Sequence, residues 1–338
     1  MCRVNGELPM NIRSVIQAIY RPLNIINACH CVLMLLICVT AWGGEKSVVY
    51  LNSYHAGYDW SDKEFNAFEI QLSDEPIKIH HFYMNTKYIR DPADIAAIVK
   101  KALKYIDKHQ PDILVAADDN ASKYIVEPHF KNSDIPVVYL GINLDAAAYG
   151  YPYKNSTGMV ELEGLKNLID VIRQYTQYNK VTMIFTQTTT SLKKYQHYRQ
   201  QIANLNGVVV KSLAEFKAAV KALQGSHQLL ALDTLNGMDN YDPELIKSFL
   251  ASQHGQPVIS VSNSSQDMAH FGYIKVPDEH GIWAGEAVQK ILSGVKVSDI
   301  PPTNNSHYQV FINQEFAKQC QVIIPPVFYQ LPFIHVND

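Results

Sequence analysis

The chain has 338 residues, 47% of them apolar and 18% charged, with a formal charge of −3. That length exceeds one comfortable hydrophobic core, so two lobes are the default expectation, and the apolar share excludes disorder. Residues 1–44 carry Arg3, Arg13 and Arg21 against Glu7, a net +2, which leaves the remainder near −5 and argues against nucleic acid as a partner.

At the front, Arg13 and Arg21 precede a stretch without charge from Pro22 to Gly44, densest in apolar residues over Cys31–Val39 and followed by the small residues Thr40 and Ala41. Positive, then apolar, then small is the order of a secretory signal peptide, here 1–44, and it implies a periplasmic protein. The uncharged window is also long enough to remain as an uncleaved inner-membrane anchor, and that alternative stays open. Cys2, Cys29, Cys31 and Cys38 fall in this segment, so Cys320 alone follows it; neither a disulfide nor a cysteine metal site is expected.

After Gly44, short β-branched runs alternate with longer amphipathic ones. Ser47–Leu51, Ile77–Phe82, Asp112–Ala116 and Ile135–Leu140 read as strands; Asp62–Leu72, Asp91–Lys108 and Asn120–His129 read as helices. The spacing of Ile95, Ile98, Val99, Leu103 and Ile106 is helical, with Asp91-Pro92 as the start signal and Gln110-Pro111 as the stop. A second alternating set follows a polar break at Tyr149–Thr157. Its helices are Glu163–Tyr175, Ser191–Leu205, Ala214–Leu223 and Pro243–Ser252, and its strands Lys180–Phe185, Val208–Lys211, Gln228–Leu232 and Pro257–Val261. Such alternation, occurring twice, means α/β architecture with two doubly wound parallel sheets. An amphipathic stretch ending at Gly294 and a strand at His307–Asn313 close the chain.

Several segments carry a family likeness: Val49-Tyr50-Leu51-Asn52-Ser53-Tyr54-His55, Pro111–Ala121, Ile135–Asn143, Thr157–Glu161, Phe311-Ile312-Asn313 and Ile323-Ile324-Pro325-Pro326. In this order they resemble the ABC-transporter substrate-binding protein family, of the type I periplasmic binding protein fold, from about Val48 to Phe328. Gln319-Cys320-Gln321 departs from the small Gly-Leu step usual there. The resemblance implies two lobes joined by a three-crossover hinge, with Gly281–Gly294 returned to the first lobe and the final strand in the second. Lobe 1 is then 45–145 completed by 275–299, lobe 2 is 155–265 completed by 303–328, and the hinge lies near 143–160, 266–276 and 298–306. Leu51–Trp60, Asp118–Ala121 and Gly141–Asn143 resemble most closely a sensory-input subgroup.

Ligands of open α/β sheets sit beyond the carboxyl ends of strands, so the loops there hold the candidate binding residues. In the first lobe these are Ser53, Tyr54, His55 and Trp60, then Asp119 and Asn120, then Asn143; aromatic faces stack and carboxylates accept from an ammonium. In the second lobe Thr188 and Thr189 open a helix whose free amides suit a carboxylate, and Asp233, Thr234, Asn263 and Asp267 follow the next strands. Capping and turn roles compete with binding at most of these positions. Acid in one lobe and helix-end amides in the other match an amino acid, while a sugar or nucleoside suits the aromatic and amide groups.

His80-His81 cannot readily share a metal from opposite strand faces, and no His-Glu-x-x-His, Gly-x-Ser-x-Gly or phosphate-loop motif occurs. No catalysis, cofactor or metal is therefore expected. The expected protein is a monomeric periplasmic solute-binding protein that traps a small polar ligand between two lobes and delivers it to the membrane permease of an ABC importer. The alternative partner is a membrane sensor, a two-component kinase or a diguanylate cyclase.

Overall fold

The computed structural model describes residues 45–89 and 91–335; the expected signal peptide or anchor lies outside them. Chain order is β1 (Lys46–Asn52), α1 (Asp59–Gln71), β2 (Ile77–Tyr83), α2 (Pro92–His109), β3 (Ile113–Ala117), α3 (Asp118–Ala121), β4 (Val137–Asn143) and β5 (Ser156–Glu161). Then come α4 (Leu165–Tyr175), β6 (Val181–Thr186), α5 (Thr189–Gln201), β7 (Leu205–Val210), α6 (Leu213–Leu223), β8 (Leu229–Leu232), α7 (Pro243–Ala251), β9 (Val258–Ser260) and β10 (Phe271–Lys275). The chain ends with α8 (Pro277–Leu292), β11 (Thr303–Asn304), β12 (Tyr308–Ile312), α9 (Gln314–Gln319) and β13 (Phe333–His335).

These strands form two sheets, a six-stranded one in the order β11-β5-β4-β3-β1-β2 and a seven-stranded one in the order β13-β12-β10-β9-β8-β6-β7. Pairing is parallel from β1 through β3 and β4 to β5, and again from β7 through β6, β8 and β9 to β10; β12 runs antiparallel to β10. The period of two along a strand splits the first lobe's core. Val49, Leu51, Leu114, Ala116 and Tyr139 pack with Ile98, Ala102 and Ile106 of α2 on one face of the sheet. Val48, Tyr50, Ile113, Val115 and Val138 pack with Phe68 of α1 and Ala284, Ala287 and Val288 of α8 on the other. Both faces are covered there, so the central strands β3 and β4 are near-continuously apolar rather than alternating. The second sheet has its own core, in which Cys320 is buried.

Local chemistry sets the element ends. The Asp91 carboxylate accepts from the Ala93 amide at 2.8 Å with Pro92 in the first turn, and α2 stops at Gln110, whose φ is 41°. Helix α5 spans Thr189–Gln201 rather than Ser191–Leu205, because Asn204 takes a left-handed φ of 59° and the chain turns straight into β7. The helix expected over Asn120–His129 is a short α turn continuing as a π-helix, Ser122–Phe130, with Pro128 inside it.

Three boundaries move from the sequence expectation. Ser156–Glu161, read there as the start of lobe 2, is a fully buried strand of the first sheet, paired with β4. Gly158 permits it: a Cβ there would lie 2.2 Å from the ring of Tyr139. Thr303–Asn304 likewise pairs with β5, not with the second sheet. Conversely, residues 271–275 belong to the second sheet, so the chain crosses after Lys275 and α8 packs against α1. Gly281 allows that approach, since a Cβ there would sit 2.1 Å from the Glu64 carbonyl oxygen.

Candidate functional site

Parallel strands share one carboxyl edge, and the loops leaving that edge in each sheet bring the polar side chains together. In the first lobe the Ser53 hydroxyl donates to the Ala117 carbonyl at 2.6 Å and accepts from the Ala121 amide at 2.8 Å, fully buried. It staples the ends of β1 and β3, and its one donor is used within the fold. Tyr54 and His55 are half-buried beside it. The Tyr54 ring meets Tyr58 edge-on at 4.8 Å with Lys87 Nζ 4.2 Å above it, and His55 Nε2 shares a hydrogen bond with the Tyr88 hydroxyl at 3.1 Å.

After β3, Asp118 is buried, adopts φ 67°, and leaves its Oδ2 without a hydrogen-bond partner. Burial drives its carboxyl well above the usual range, and the charges of Glu161 and Asp119 push the same way; Lys87 and the Tyr54 hydroxyl offset this in part. Asp119 accepts from Asn143 Nδ2 at 2.7 Å, and Asn120 Nδ2 donates to Thr86 at 2.8 Å. Both are half-buried. Gly141, at φ 68°, lets β4 pass close: a Cβ there would meet Glu64 Oε1 at 3.2 Å and Asp118 Oδ1 at 3.4 Å.

In the second lobe, Thr188 caps α5 by accepting from the Ser191 amide at 3.1 Å. Thr189 is the first residue of that helix. Asp233 is buried and committed, accepting from Ser191 Oγ at 2.5 Å and pairing with Lys194 Nζ at 3.2 Å. Thr234 shares a hydrogen bond with Ser262 at 3.2 Å, while Asn263 and Asp267 are exposed on a 3-10 turn. Thr234 Oγ1 and the Ser262 and Ser264 hydroxyls therefore form one linked group at the ends of β8 and β9.

A chain of buried ions joins the two edges. Lys275, at the end of β10 in the second sheet, contacts Glu161 at the end of β5 in the first and lies 3.6 Å from Glu163. Glu163 in turn pairs with Lys194 at 2.5 Å, and Lys194 with Asp233. Burial alone would raise Glu163 and lower the lysines; their mutual charges reverse this, holding Glu163 below and both lysines above their ordinary values. Trp60, half-buried, places its ring 5.1 Å under Lys275 Nζ and 6.1 Å from His280.

The first-lobe edge therefore gathers Tyr54, Asp118, Asp119, Asn120 and Asn143. The binding residues expected in the strand-end loops do not include Glu64, Glu163, Lys194, Lys275 or His280, nor Asp118, which with Asp119 has a helix cap as its rival role. One signal was available: Glu64 shares the buried side of α1 with Ser61, Ala67 and Phe68, where a lone acid is out of place.

A family profile for the ABC transporter substrate binding protein matches residues 62–336. The chain belongs to that family. Solved structures with the same fold include the ligand-free, open form of CD0873, a substrate binding protein with adhesive properties from Clostridium difficile (TM-score 0.66, 16% identity, covering 86% of this chain and 99% of that one). An ABC domain in complex with L-Trp from Streptococcus pneumonia matches at TM-score 0.57 and 15% identity, covering 86% and 100%. GanP, a glucose-galactose binding protein from Geobacillus stearothermophilus, matches at 0.52 and 13%, covering 80% and 98%. These likenesses show the two-lobe type I fold; the ligands named for them, L-Trp and glucose or galactose, differ. No curated protein matches the chain. Substrate-binding proteins of this family are normally periplasmic or extracellular, and among the described residues no helix is long and apolar enough to cross a membrane.

Proposed function

We propose that this substrate-binding protein captures a small ligand bearing an ammonium group, an amino acid in class, outside the cytoplasmic membrane and presents it to the permease of an ABC importer. The observation that carries the reading is Asp118: a buried carboxyl with a partnerless oxygen, beside Tyr54, at the carboxyl edge of the first sheet. A carboxyl in that position is costly until a cation arrives to pair with it. Across the cleft, the first amides of α5 have no acceptor within the helix and suit the ligand's carboxylate. Tyr54, Tyr58 and Trp60 supply flat faces for a side chain. The L-Trp of the pneumococcal neighbour is of the same class. Ligand contacts to both lobes exist only when the lobes close, so binding favours the closed state.

The test is a thermal-shift screen against amino acids, sugars, nucleosides and small carboxylates. A ligand at a hundredfold excess over its Kd adds about 2.7 kcal/mol to stability and raises Tm by several degrees. An amino acid hit that disappears in Asp118→Asn supports the reading. A hit confined to sugars or nucleosides moves the ligand class, and no hit across the library sinks capture of a small solute.

A further inference from the structure

Where the first two crossings meet, Glu64 of α1, Glu161 at the end of β5 and His280 in the first turn of α8 point at one another. Their ligand atoms all lie within 4.8 Å. All three side chains are buried, Glu64 and His280 completely. Neither ring nitrogen of His280 and neither carboxylate oxygen of Glu64 has a hydrogen-bond partner of normal geometry. A buried imidazole and a buried carboxylate without partners are each costly, so the cluster calls for an occupant.

The Trp60 indole N–H, without another partner of its own, acts on the Glu64 carboxylate but brings no positive charge. Lys275 is engaged with Glu161 Oε1 and with Glu163. Glu279 turns away and accepts from the Ser306 and His307 amides at 2.8 Å. Asp118 adds negative charge nearby.

We propose that Glu64, Glu161 and His280 form a binding site for a divalent transition-metal ion of the zinc class. One imidazole nitrogen with two carboxylate oxygens is a three-ligand set that leaves one position open. Calcium and magnesium favour all-oxygen surroundings and do not account for the histidine. Bonds of about 2.0–2.2 Å to the ion draw the ligand atoms to about 3–3.5 Å apart, a movement within reach of side-chain rotation. The backbone is already in place, because Gly281 brings α8 against α1 beside Glu64. An ion here ties the end of β5 and the start of α8, both next to crossings, to α1. The cluster adjoins Asp118 across Gly141, but its test requires no organic ligand, so the two readings can fail separately.

The experiment strips the purified protein with EDTA, dialyses it against Zn²⁺ alone and measures bound metal by plasma mass spectrometry, with Mg²⁺ in a parallel arm. One Zn²⁺ per chain is expected, undisplaced by equal Mg²⁺, with affinity lower by at least about tenfold in His280→Gln and in Glu64→Gln. His307→Ala removes an imidazole whose side chain is 74% exposed and is expected to leave binding unchanged. Absence of saturable binding overturns the proposal, as does zinc binding that survives both cluster substitutions. Should the buried variants fail to fold, Co²⁺ on the unaltered protein decides the question. Intense visible bands of a four-coordinate ion support the site, and the weak spectrum of the hydrated ion overturns it.

Discussion

His270 shows how one buried side chain makes stability depend on pH. Its Nδ1 accepts from the Val258 amide at 3.0 Å and its ring packs 4.7 Å from Phe316, so it is held neutral, and burial pushes its pKa down to about 3. Unfolded, an imidazole titrates near about 6.5. Above that value both states are neutral and His270 contributes nothing to the pH dependence. Below it only the unfolded chain takes up the proton, so stability falls as pH drops from there toward the folded value, by about 1.4 kcal/mol per pH unit. Between pH 7 and pH 5 the expected loss from this residue is about 2 kcal/mol, read from urea denaturation at the two pH values. His270→Asn keeps an acceptor for Val258 and should flatten that acid limb by the same amount. Asp118 and Glu64 respond in the opposite sense, since burial raises both. The difference between the two proteins therefore isolates His270. A variant with an unchanged acid limb would show that the imidazole is not held neutral.

At the scale of elements, the contact between α1 and α8 rests on Gly281. A Cβ there meets the Glu64 carbonyl oxygen at 2.1 Å, the Phe68 amide nitrogen at 2.8 Å and Ala67 Cβ at 2.9 Å, and two of those three atoms are backbone that cannot rotate aside. Gly281→Ala is expected to cost about 1–3 kcal/mol through overpacking, despite the better helix propensity of alanine, which alone would gain about 1 kcal/mol. Chemical denaturation measures it; a stabilised variant would mean that the helices are not in contact there. The same pair of helices marks what was legible in the sequence. The helical spacing, the Asp91-Pro92 start and the apolar strands were readable because they depend on local chemistry and period. Strand Ser156–Glu161 was not, because its burial comes from β4 and β11 on either side rather than from its own composition. The site divides in the same way. The strand-end loops carrying Tyr54, Asp119, Asn120 and Asn143 followed from the alternation of elements and from the family likeness. Glu64, Glu161 and His280 are scattered along the chain and meet only through the chain crossings, so no spacing announces them. Ser53, Thr188 and Asp233 are polar residues in the expected loops that the fold already engages, as a staple, a helix cap and an ion-pair partner.

For the whole molecule, the ion chain Glu161–Lys275–Glu163–Lys194–Asp233 is the polar link between the two sheets, and Lys275 is its central member. Both lysines are nearly buried, with side chains 12% and 8% exposed, so these pairs are shielded from solvent and salt. Deleting one partner of a buried pair leaves the other uncompensated, whereas deleting both at matched volume can be close to neutral. Lys275→Met therefore leaves Glu161 without its cation and Glu163 with Lys194 alone, an expected loss of about 3–5 kcal/mol at pH 7. Adding Glu161→Gln removes the stranded charge, and the double variant should recover at least about 1 kcal/mol over the sum of the single changes. Urea denaturation in EDTA measures the cycle without interference from bound metal. Additive losses would mean that the two groups do not sense each other. A coupled result shows that the Glu161–Lys275 pair ties the end of β5 in the first sheet to the end of β10 in the second.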